Sequence, residues 1–453
     1  MPASCKNEEI ILDITALSHQ GEGIGRYNGM AVFVPMAAVG DRLRVRIVKV
    51  LKHMAYGIIR EVVSPSESRV KNDCPVFNSC GGCALRHISY EEELRCKEGF
   101  VRDNLLRIGK IETEFLPILP SHETGRYRNK AQYPVRLMDG RVKAGFFAPR
   151  SHRLIPVEDC LLQPAFFGDL CRILCDFMEK YDIPPYDEND HTGLVRHFYL
   201  RHASKTGQLM ASVVINGKEL PHWQVLLGRL QTCYTGFTTL VLDTNMQKTN
   251  VISGGHQTVL SGPGSIVDQI CNIEVELSPA SFYQVNRDAA EELYRQAAEF
   301  AGLRKTDLLL DLYCGAGAIG LSMAHLAGEV IGVEIVPQAV ENARANAGRN
   351  GIRNARFFCA DAGEAARRLG DGGIYPDVVL LDPPRKGADE ATLAAIISMK
   401  PEKIIYISCN SATLARDCAR LSQDGYRVVK ARPADLFPRT PHVECVCLLM
   451  KDV

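Results

Sequence analysis

The 453-residue chain has no uninterrupted apolar stretch of about 18 residues, which excludes a typical membrane-spanning helix. Its first residues, MPASCKNEEI, lack a basic segment followed by an apolar one, so no secretory leader is visible and a cytoplasmic location is expected. Neither sign of charge is in excess, with 53 basic and 53 acidic residues. Net charge therefore gives no argument for nucleic acid, and any such argument must come from local clustering. Internal repeats and low-complexity tracts are also missing, which sets aside repeat architectures. What remains is the composition of a globular protein, 46% hydrophobic and 23% charged, in a chain long enough for two or three domains. Sixteen cysteines without an export leader do not suggest a disulfide framework. They divide instead among buried small hydrophobes, metal ligands and nucleophiles.

Residues 10–63 read as short alternating strands (IILDITAL, AVFVPMAAV, RLRVRIVKV) separated by the turns GEGIGRYNG and Val39-Gly40-Asp41, a small-barrel pattern. Arg42, Arg44 and Arg46 share one strand face, and Lys49, Lys52 and Arg60 follow. A solvated edge strand and an RNA-backbone footprint account for this equally well. From Tyr90 to Arg107 the pattern becomes helical and charged, and 125–265 is again strand-like with a helix near 165–180. Between Arg126 and Arg153 eight basic residues stand against Asp139 alone, interleaved with Tyr127, Tyr133, Phe146 and Phe147. Basic side chains hold phosphates and aromatic faces stack unpaired bases, so RNA contact is the favoured reading there. Beyond about 280 strands and helices alternate, with strands expected at 308–313, 330–335, 355–359, 377–382, 403–408 and 426–431, and a last strand at 443–450. That alternation implies a parallel sheet covered on both faces.

LLLDLYCGAGAIGLSMAHL (308–326) is an apolar strand, a glycine-rich turn and a helix start. Gly315, Gly317 and Gly320 satisfy G-x-G-x-x-G, and Glu334 ends the next strand, where an acid can accept from ribose hydroxyls. Dinucleotide and adenosylmethionine sites share those features. The flanks separate them: Asp311 lies inside the first strand, where it suits a cationic methionine moiety and opposes a pyrophosphate. Asp361 follows the third strand, placed to read an adenine amine, and Asp382-Pro383-Pro384-Arg385 ends the fourth. The competing explanation is that these acids are helix N-caps.

YISCNSATLARD (406–417) puts Cys409 at the end of a strand directly before a helix, whose start Asn410 and Ser411 can cap. A helix N-terminus lowers a thiol pKa, so Cys409 is expected to carry a raised thiolate fraction. A thiolate added to C6 of uracil creates an enolate at C5 that can take a sulfonium methyl group, after which a base must remove the C5 proton. Glu444, in the otherwise apolar HVECVCLL, is the candidate base, since burial would raise its pKa. The competing reading is an edge-strand glutamate facing water. Cys74-x5-Cys80-x2-Cys83, with Gly81 and Gly82 inside the last pair and Cys160 far downstream, reads as a metal site, zinc or 4Fe–4S, with no choice between them from spacing.

Taken together, CPVFNSCGGC with Cys160, AGFFAPRSHRLIPVEDC, SFYQVN, LDLYCGAGAIG, LLDPPRKG, ISCNSATLARD and HVECVCLL resemble the bacterial RNA uracil-5-methyltransferases, over nearly the whole chain. The likeness is to the 23S ribosomal RNA enzymes more than to the shorter transfer RNA enzyme. It implies a multi-domain α/β chain: an OB-like TRAM β-barrel at 1–63, a central mainly β iron–sulfur domain at 64–270, and a Rossmann-like class I methyltransferase domain at 271–453. The helical segment 89–115 would pack on that last domain. The resemblance further implies adenosylmethionine bound by Gln284, Tyr313, Glu334, Asp382 and Asp361, a 4Fe–4S cluster on Cys74, Cys80, Cys83 and Cys160, Cys409 as nucleophile and Glu444 as base. Ala318 stands where some relatives carry Asn, so no cofactor contact is carried over there. The implied partner is RNA, 23S ribosomal RNA first, acted on by a monomer. Methylation of transfer RNA, or of a base amine without a covalent adduct, is the alternative.

Overall fold

The structure, a computed structural model, describes residues 6–452. Strands β1 (Glu9–Leu17), β2 (Gly23–Tyr27), β3 (Met30–Val34), β4 (Arg42–Val50) and β5 (Met54–Ser64) close into a barrel in the order β1-β2-β3-β5-β4. Its interior is the period-two set Ile10, Leu12, Ile14, Leu43, Val45 and Ile47, all at most 4% exposed. GIGRY, a turn by its glycines, is in fact β2. The glycines serve close strand crossing rather than reversal: a Cβ at Gly25 would sit 2.5 Å from the Asp13 carbonyl oxygen. On the outer face Arg42 pairs with Asp13 (3.7 Å), Arg44 with Glu61 (2.9 Å) and Arg60 with Glu9 (3.6 Å). Such exposed pairs contribute only about 0–1 kcal/mol each, but they offset part of the local positive charge.

Helix α1 (Tyr90–Asn104) begins at Ser89, whose hydroxyl accepts from the Glu92 N–H (3.3 Å), and carries Glu91, Glu92 and Glu93 in its first turn, where the helix dipole favours them. It runs into a π-helical turn, Leu105–Gly109, and then β6 (Glu114–Phe115). Val101, Leu105 and Ile111 join the same buried cluster as Leu414, Ala415 and Cys418 of the C-terminal half.

The middle of the chain is a seven-stranded sheet in the order β13-β12-β11-β10-β7-β8-β9. Its strands are β7 (Lys130–Met138), β8 (Arg141–Phe147), β9 (Leu154–Pro156), β10 (Val195–His202), β11 (Leu209–Ile215), β12 (Phe237–Thr244) and β13 (His256–Ser261), with α2 (Phe166–Lys180) and α3 (Trp223–Cys233) between them. The apolar stripe of α2, Phe167, Leu170, Leu174 and Phe177, is fully buried on one face of the sheet. Tyr199, Met210 and Val241 turn the other way and share a core with Ile266, Tyr283 and Leu293.

A hairpin, β14 (Ile266–Ile270) and β15 (Ile273–Leu277), and α4 (Arg287–Ala301) lead into the C-terminal sheet. There β16 (Leu308–Leu312), α5 (Ala318–Met323), β17 (Glu329–Glu334), α6 (Pro337–Arg349), β18 (Ala355–Cys359), α7 (Ala362–Asp371), β19 (Val378–Leu381), α8 (Glu390–Met399), β20 (Lys403–Ser408), α9 (Ser411–Ser422), β21 (Tyr426–Ala434) and β22 (Glu444–Lys451) follow in turn. The sheet order is β18-β17-β16-β19-β20-β22-β21-β6. The first five strands are parallel, as short apolar strands feeding crossover helices must be. The last strand returns antiparallel and inserts between β20 and β21. Among the described residues no helix is long and apolar enough to cross a membrane. Replacing Gly25 by Ala should destabilise the barrel by about 1–3 kcal/mol, since the added methyl meets backbone that cannot yield. Thermal unfolding followed by intrinsic fluorescence and limited proteolysis of residues 6–64 checks it; wild-type resistance in the variant contradicts the crossing argument.

Candidate active site

The registers of the C-terminal sheet bring two distant segments together. Ser408 pairs with Cys445 across β20 and β22, so Cys409, the next residue, comes opposite Glu444 at the carboxyl edge. Because β22 is flanked on both sides, Glu444 is not an edge residue: it is 4% exposed. Burial, reinforced by the nearby Asp382 carboxylate and opposed by Arg385, pushes its carboxyl up to about 8. Behind the site, Cys418, Cys445 and Cys447 are fully buried core thiols.

Cys409 departs from the expectation of a lowered pKa. Burial pushes its thiol up first, and the Glu444 charge adds to that; the Arg385 guanidinium beside the sulfur works in the opposite direction. The Asn410 side chain caps the helix start, accepting from the Ala412 N–H (3.1 Å). Arg385, present in the LLDPPRKG motif without an evident task, thus stands where its charge acts on the thiol. Its place is fixed from α9: its carbonyl accepts from Asn410 Nδ2 (3.0 Å), and Arg416 donates to the Lys386 carbonyl (3.0 Å). Asp417 accepts from the Ala388 N–H (2.9 Å) and the Tyr406 hydroxyl (2.6 Å). A Cβ at Gly387, which has φ +81°, would meet Arg416 and Asp417 at 2.5 Å.

At the neighbouring strand ends, Asp311 is 1% exposed; its Oδ2 accepts from the Gly320 N–H (3.0 Å), while Oδ1 is buried without a partner. Gly320 is required there, as a Cβ would lie 2.6 Å from Oδ2. Burial and Asp382 push Asp311 up to about 8, and burial pushes the partly exposed Asp382 up to about 7. Glu334 accepts from the Gly315 N–H (3.1 Å) and the Val336 N–H (2.9 Å), which fixes its carboxylate over the glycine-rich turn. Tyr313 sits at φ +65°, its hydroxyl 3.3 Å from Thr392 Oγ1. An unpartnered buried carboxylate oxygen next to a glycine turn fits a cationic methionine head better than a diphosphate, which would meet only negative charge there. Asp361 proves to be the N-cap of α7, its Oδ1 accepting from Gly363 and Glu364. That is the competing capping role, which a strand-end acid fills with the same chemistry.

Gln284 lies on the segment 278–286, which the central sheet holds in place. Its carbonyl accepts from Asn129 Nδ2 (2.9 Å), and the buried Arg201 donates to the carbonyls of Ser278 (2.9 Å) and Ser281 (2.7 Å). Phe282 on the same segment is 74% exposed, an aromatic face in water that the sequence signalled only through SFYQVN.

In the basic stretch 126–153, Arg126 grips Asp159 (2.7 Å), Arg141 pairs with Glu179 (2.9 Å), and Tyr133 is 2% exposed. These are structural uses, so base stacking is not open to Tyr133. Lys130, Lys143, Arg150 and Arg153 have no ion pair among the described residues. Cys74, Cys80, Cys83 and Cys160 line one cavity of about 130 Å³ with Val76, Phe77 and Phe146. Burial pushes the Cys83 thiol up to about 12 and raises Cys80 and Cys160 as well. Among the described residues no group of three or more His, Cys, Asp or Glu side chains is arranged to hold a metal ion, so the four thiols surround a space rather than converge on a point.

Comparison with known proteins supplies the family. Residues 3–59 match the TRAM domain, and residues 266–452 match the tRNA (Uracil-5-)-methyltransferase family. An uncharacterized RNA methyltransferase of Clostridium tetani is 40% identical over 98% of this chain and 96% of its own length. One of Halalkalibacterium halodurans is 41% identical over 98% and 97%. The chain belongs to the bacterial RNA (uracil-5-)-methyltransferase family. Pyrococcus abyssi tRNA (uracil-54, C5)-methyltransferase, solved with S-adenosyl-L-homocysteine, matches this methyltransferase with a TM-score of 0.78 at 26% identity, over 97% of this chain and 100% of that one. The enzyme is thus an adenosylmethionine-dependent RNA methyltransferase with an N-terminal TRAM domain. Since Arg385 alone lowers the Cys409 thiol, Arg385→Ala should move the pH dependence of Cys409 alkylation, read by peptide mass mapping, to higher pH. An unchanged profile contradicts the pairing.

Proposed function

We propose that this methyltransferase methylates C5 of a uridine in structured RNA, with Cys409 as nucleophile and Glu444 as base. The observation that carries the reading is the β20–β22 register that sets a partly exposed thiol opposite a buried, raised-pKa carboxyl. The Cys409 thiolate adds to C6, and the uracil π electrons move onto C5 and O4 as an enolate. Bound adenosylmethionine would supply the methyl group as a sulfonium, whose methyl carbon takes the electron pair from C5 while the S–CH3 bond breaks and S-adenosylhomocysteine is left. Asp311, with one oxygen unpartnered, is suited to hold the amino group of that cofactor, Glu334 its ribose, and Tyr313, Gln284 and Asp382 the remainder of the pocket; Asp361 is left with a second oxygen for the base. Glu444, ionised above about pH 8, takes the C5 proton, and elimination releases the Cys409 thiolate. Arg385 stabilises the thiolate before addition and after release, and Phe282 offers a stacking face for a base turned out of its helix.

The substrate is assigned first to 23S ribosomal RNA, supported by the resemblance of the motifs, taken together over nearly the whole chain, to the 23S ribosomal RNA enzymes more than to the shorter transfer RNA enzyme. A transfer RNA uridine is the second reading, favoured by the family's description and by the Pyrococcus abyssi enzyme. The barrel 1–63 and the unpaired cations of residues 130–153 are assigned to RNA contact, and residues 64–270 to a central domain carrying a 4Fe–4S cluster on Cys74, Cys80, Cys83 and Cys160. Four thiols around an apolar-walled cavity fit a polyatomic cluster better than a single ion, and Arg86 and Arg128 beside them offset its charge. When bound, such a cluster cross-links two distant segments of chain.

Incubation with adenosylmethionine and RNA containing 5-fluorouridine should trap a covalent complex that is lost in Cys409→Ala; an adduct that survives the substitution contradicts the assignment. Glu444→Gln should arrest the enzyme on ordinary uridine RNA as a methylated adduct. Phe282→Ala should raise KM for RNA about 5- to 150-fold, matching the loss of one stacking contact of about 1–3 kcal/mol. Mapping 5-methyluridine in ribosomal and transfer RNA from a deletion strain separates the two substrates. Anaerobic purification should give a brown protein; a colourless protein with bound zinc overturns the cluster.

A further inference from the structure

The nine-residue loop 435–443 carries the chain from β21 into Glu444, and its anchors come largely from segments before residue 130. Lys97 Nζ donates to the Phe437 carbonyl (3.1 Å), to Asp435 Oδ1 (2.7 Å) and to Glu93 Oε1 (2.7 Å), which uses all three ammonium protons. Glu93 Oε1 also accepts from the Arg439 N–H (2.7 Å), and the Tyr90 hydroxyl donates to Asp435 Oδ2 (2.9 Å). The Arg439 carbonyl accepts from the N–H groups of Ala84 (2.9 Å) and Leu85 (3.0 Å), the residues directly after Cys83. The Pro438 carbonyl accepts from the Tyr127 hydroxyl (2.9 Å). Lys97, Glu93 and Asp435 are at most 1% exposed, and Arg439 is held at φ +69°.

The same helix reaches the other half of the site. Asn104 at the end of α1 donates to Ser411 Oγ (2.8 Å), the first residue of α9 and two beyond Cys409. One helix therefore brackets the element bearing Cys409 at one end and the loop leading to Glu444 at the other. The two attachments are chemically distinct: a neutral hydrogen bond on the nucleophile side, a buried ion cluster on the base side.

We propose that Lys97 is a positioning residue for proton removal, acting through Asp435 and Phe437 on the loop that sets Glu444 against the C5 proton. The inference rests on the reading of Glu444 as base. In the step concerned, Glu444 takes the proton, the C5–H electrons form the C5–C6 double bond, and the C6–S bond breaks to return the Cys409 thiolate. Thiolate addition needs none of this. Loss of the cluster should therefore slow elimination and leave addition intact.

The test uses the full-length holoenzyme with Lys97→Met, Glu93→Gln and Asp435→Asn combined, which removes the ammonium together with both carboxylates it pairs with and leaves only Arg439, 3.5 Å from Glu93 and 17% exposed at its side chain, without an ion partner. Tyr90→Phe, which removes one bond to Asp435, serves as a milder second variant. Two rates are read: covalent trapping on 5-fluorouridine RNA, and release of 5-methyluridine product from ordinary uridine RNA. Product release should fall about 10- to 100-fold in the triple variant while trapping stays within about twofold, as expected when a reacting group is displaced by about 1 Å. A methylated protein–RNA adduct should accumulate, and Tyr90→Phe should shift the same way by less. Parallel loss of both rates, or no adduct in either variant, overturns the proposal. If the wild-type enzyme itself forms no adduct with 5-fluorouridine RNA, the reading of the site fails and the proposal falls with it.

Discussion

The site depends on where β22 inserts. By entering between β20 and β21 instead of lying at the edge, the final strand buries Glu444 and turns its first residue toward the thiol after β20. A carboxylate in that position is costly unless it is neutralised or used. Here it is held largely protonated near neutral pH by burial and by Asp382, and Arg385 is the one cation that works against the rise. The same guanidinium acts on Cys409, so a single exposed arginine biases both groups toward ionisation.

Around that pair the three parts of the chain meet. The central sheet fixes the segment of Phe282 and Gln284 through Arg201 and Asn129. Helix α1 and the residues after Cys83 fix the loop before Glu444. The barrel comes close as well: a Cβ on Gly21 would lie 3.0 Å from Ala84 and 3.6 Å from Pro441. Elements suited to RNA contact are thus mechanically continuous with those carrying the reactive groups, an arrangement expected where substrate binding must align chemistry.

Much of the C-terminal architecture was legible in the sequence because its strands are short apolar runs ending in distinctive residues, such as LLLDL before the glycine turn and KIIYIS before Cys409. The barrel is legible in outline, but β2 has the look of a turn because glycine marks both reversals and close crossings. Strand insertion was not legible: the β21–β22 hairpin follows from adjacency, whereas the β20–β22 pairing is a tertiary outcome. For the same reason the direction of the thiol pKa does not follow from the sequence. A helix start is visible in NSATLARD, while the burial and the Glu444 charge that outweigh it are not. Arg385 carries a signal, its position after Asp382-Pro383-Pro384, but its task depends on three side chains, those of the cap Asn410 and of Arg416 and Asp417 in α9, that clamp the turn. Asp361 shows the limit most plainly, since a cap and a ligand call for the same residue at the same place.

The most direct test of the account follows the C5 hydrogen itself. With RNA carrying tritium at uridine C5, the enzyme and adenosylmethionine should release one tritium to water for each methyl group incorporated. The rate should climb as pH rises toward and past about 8, where Glu444 ionises. Methyl incorporation without tritium release would place the methyl on another atom and contradict the roles given to Cys409 and Glu444.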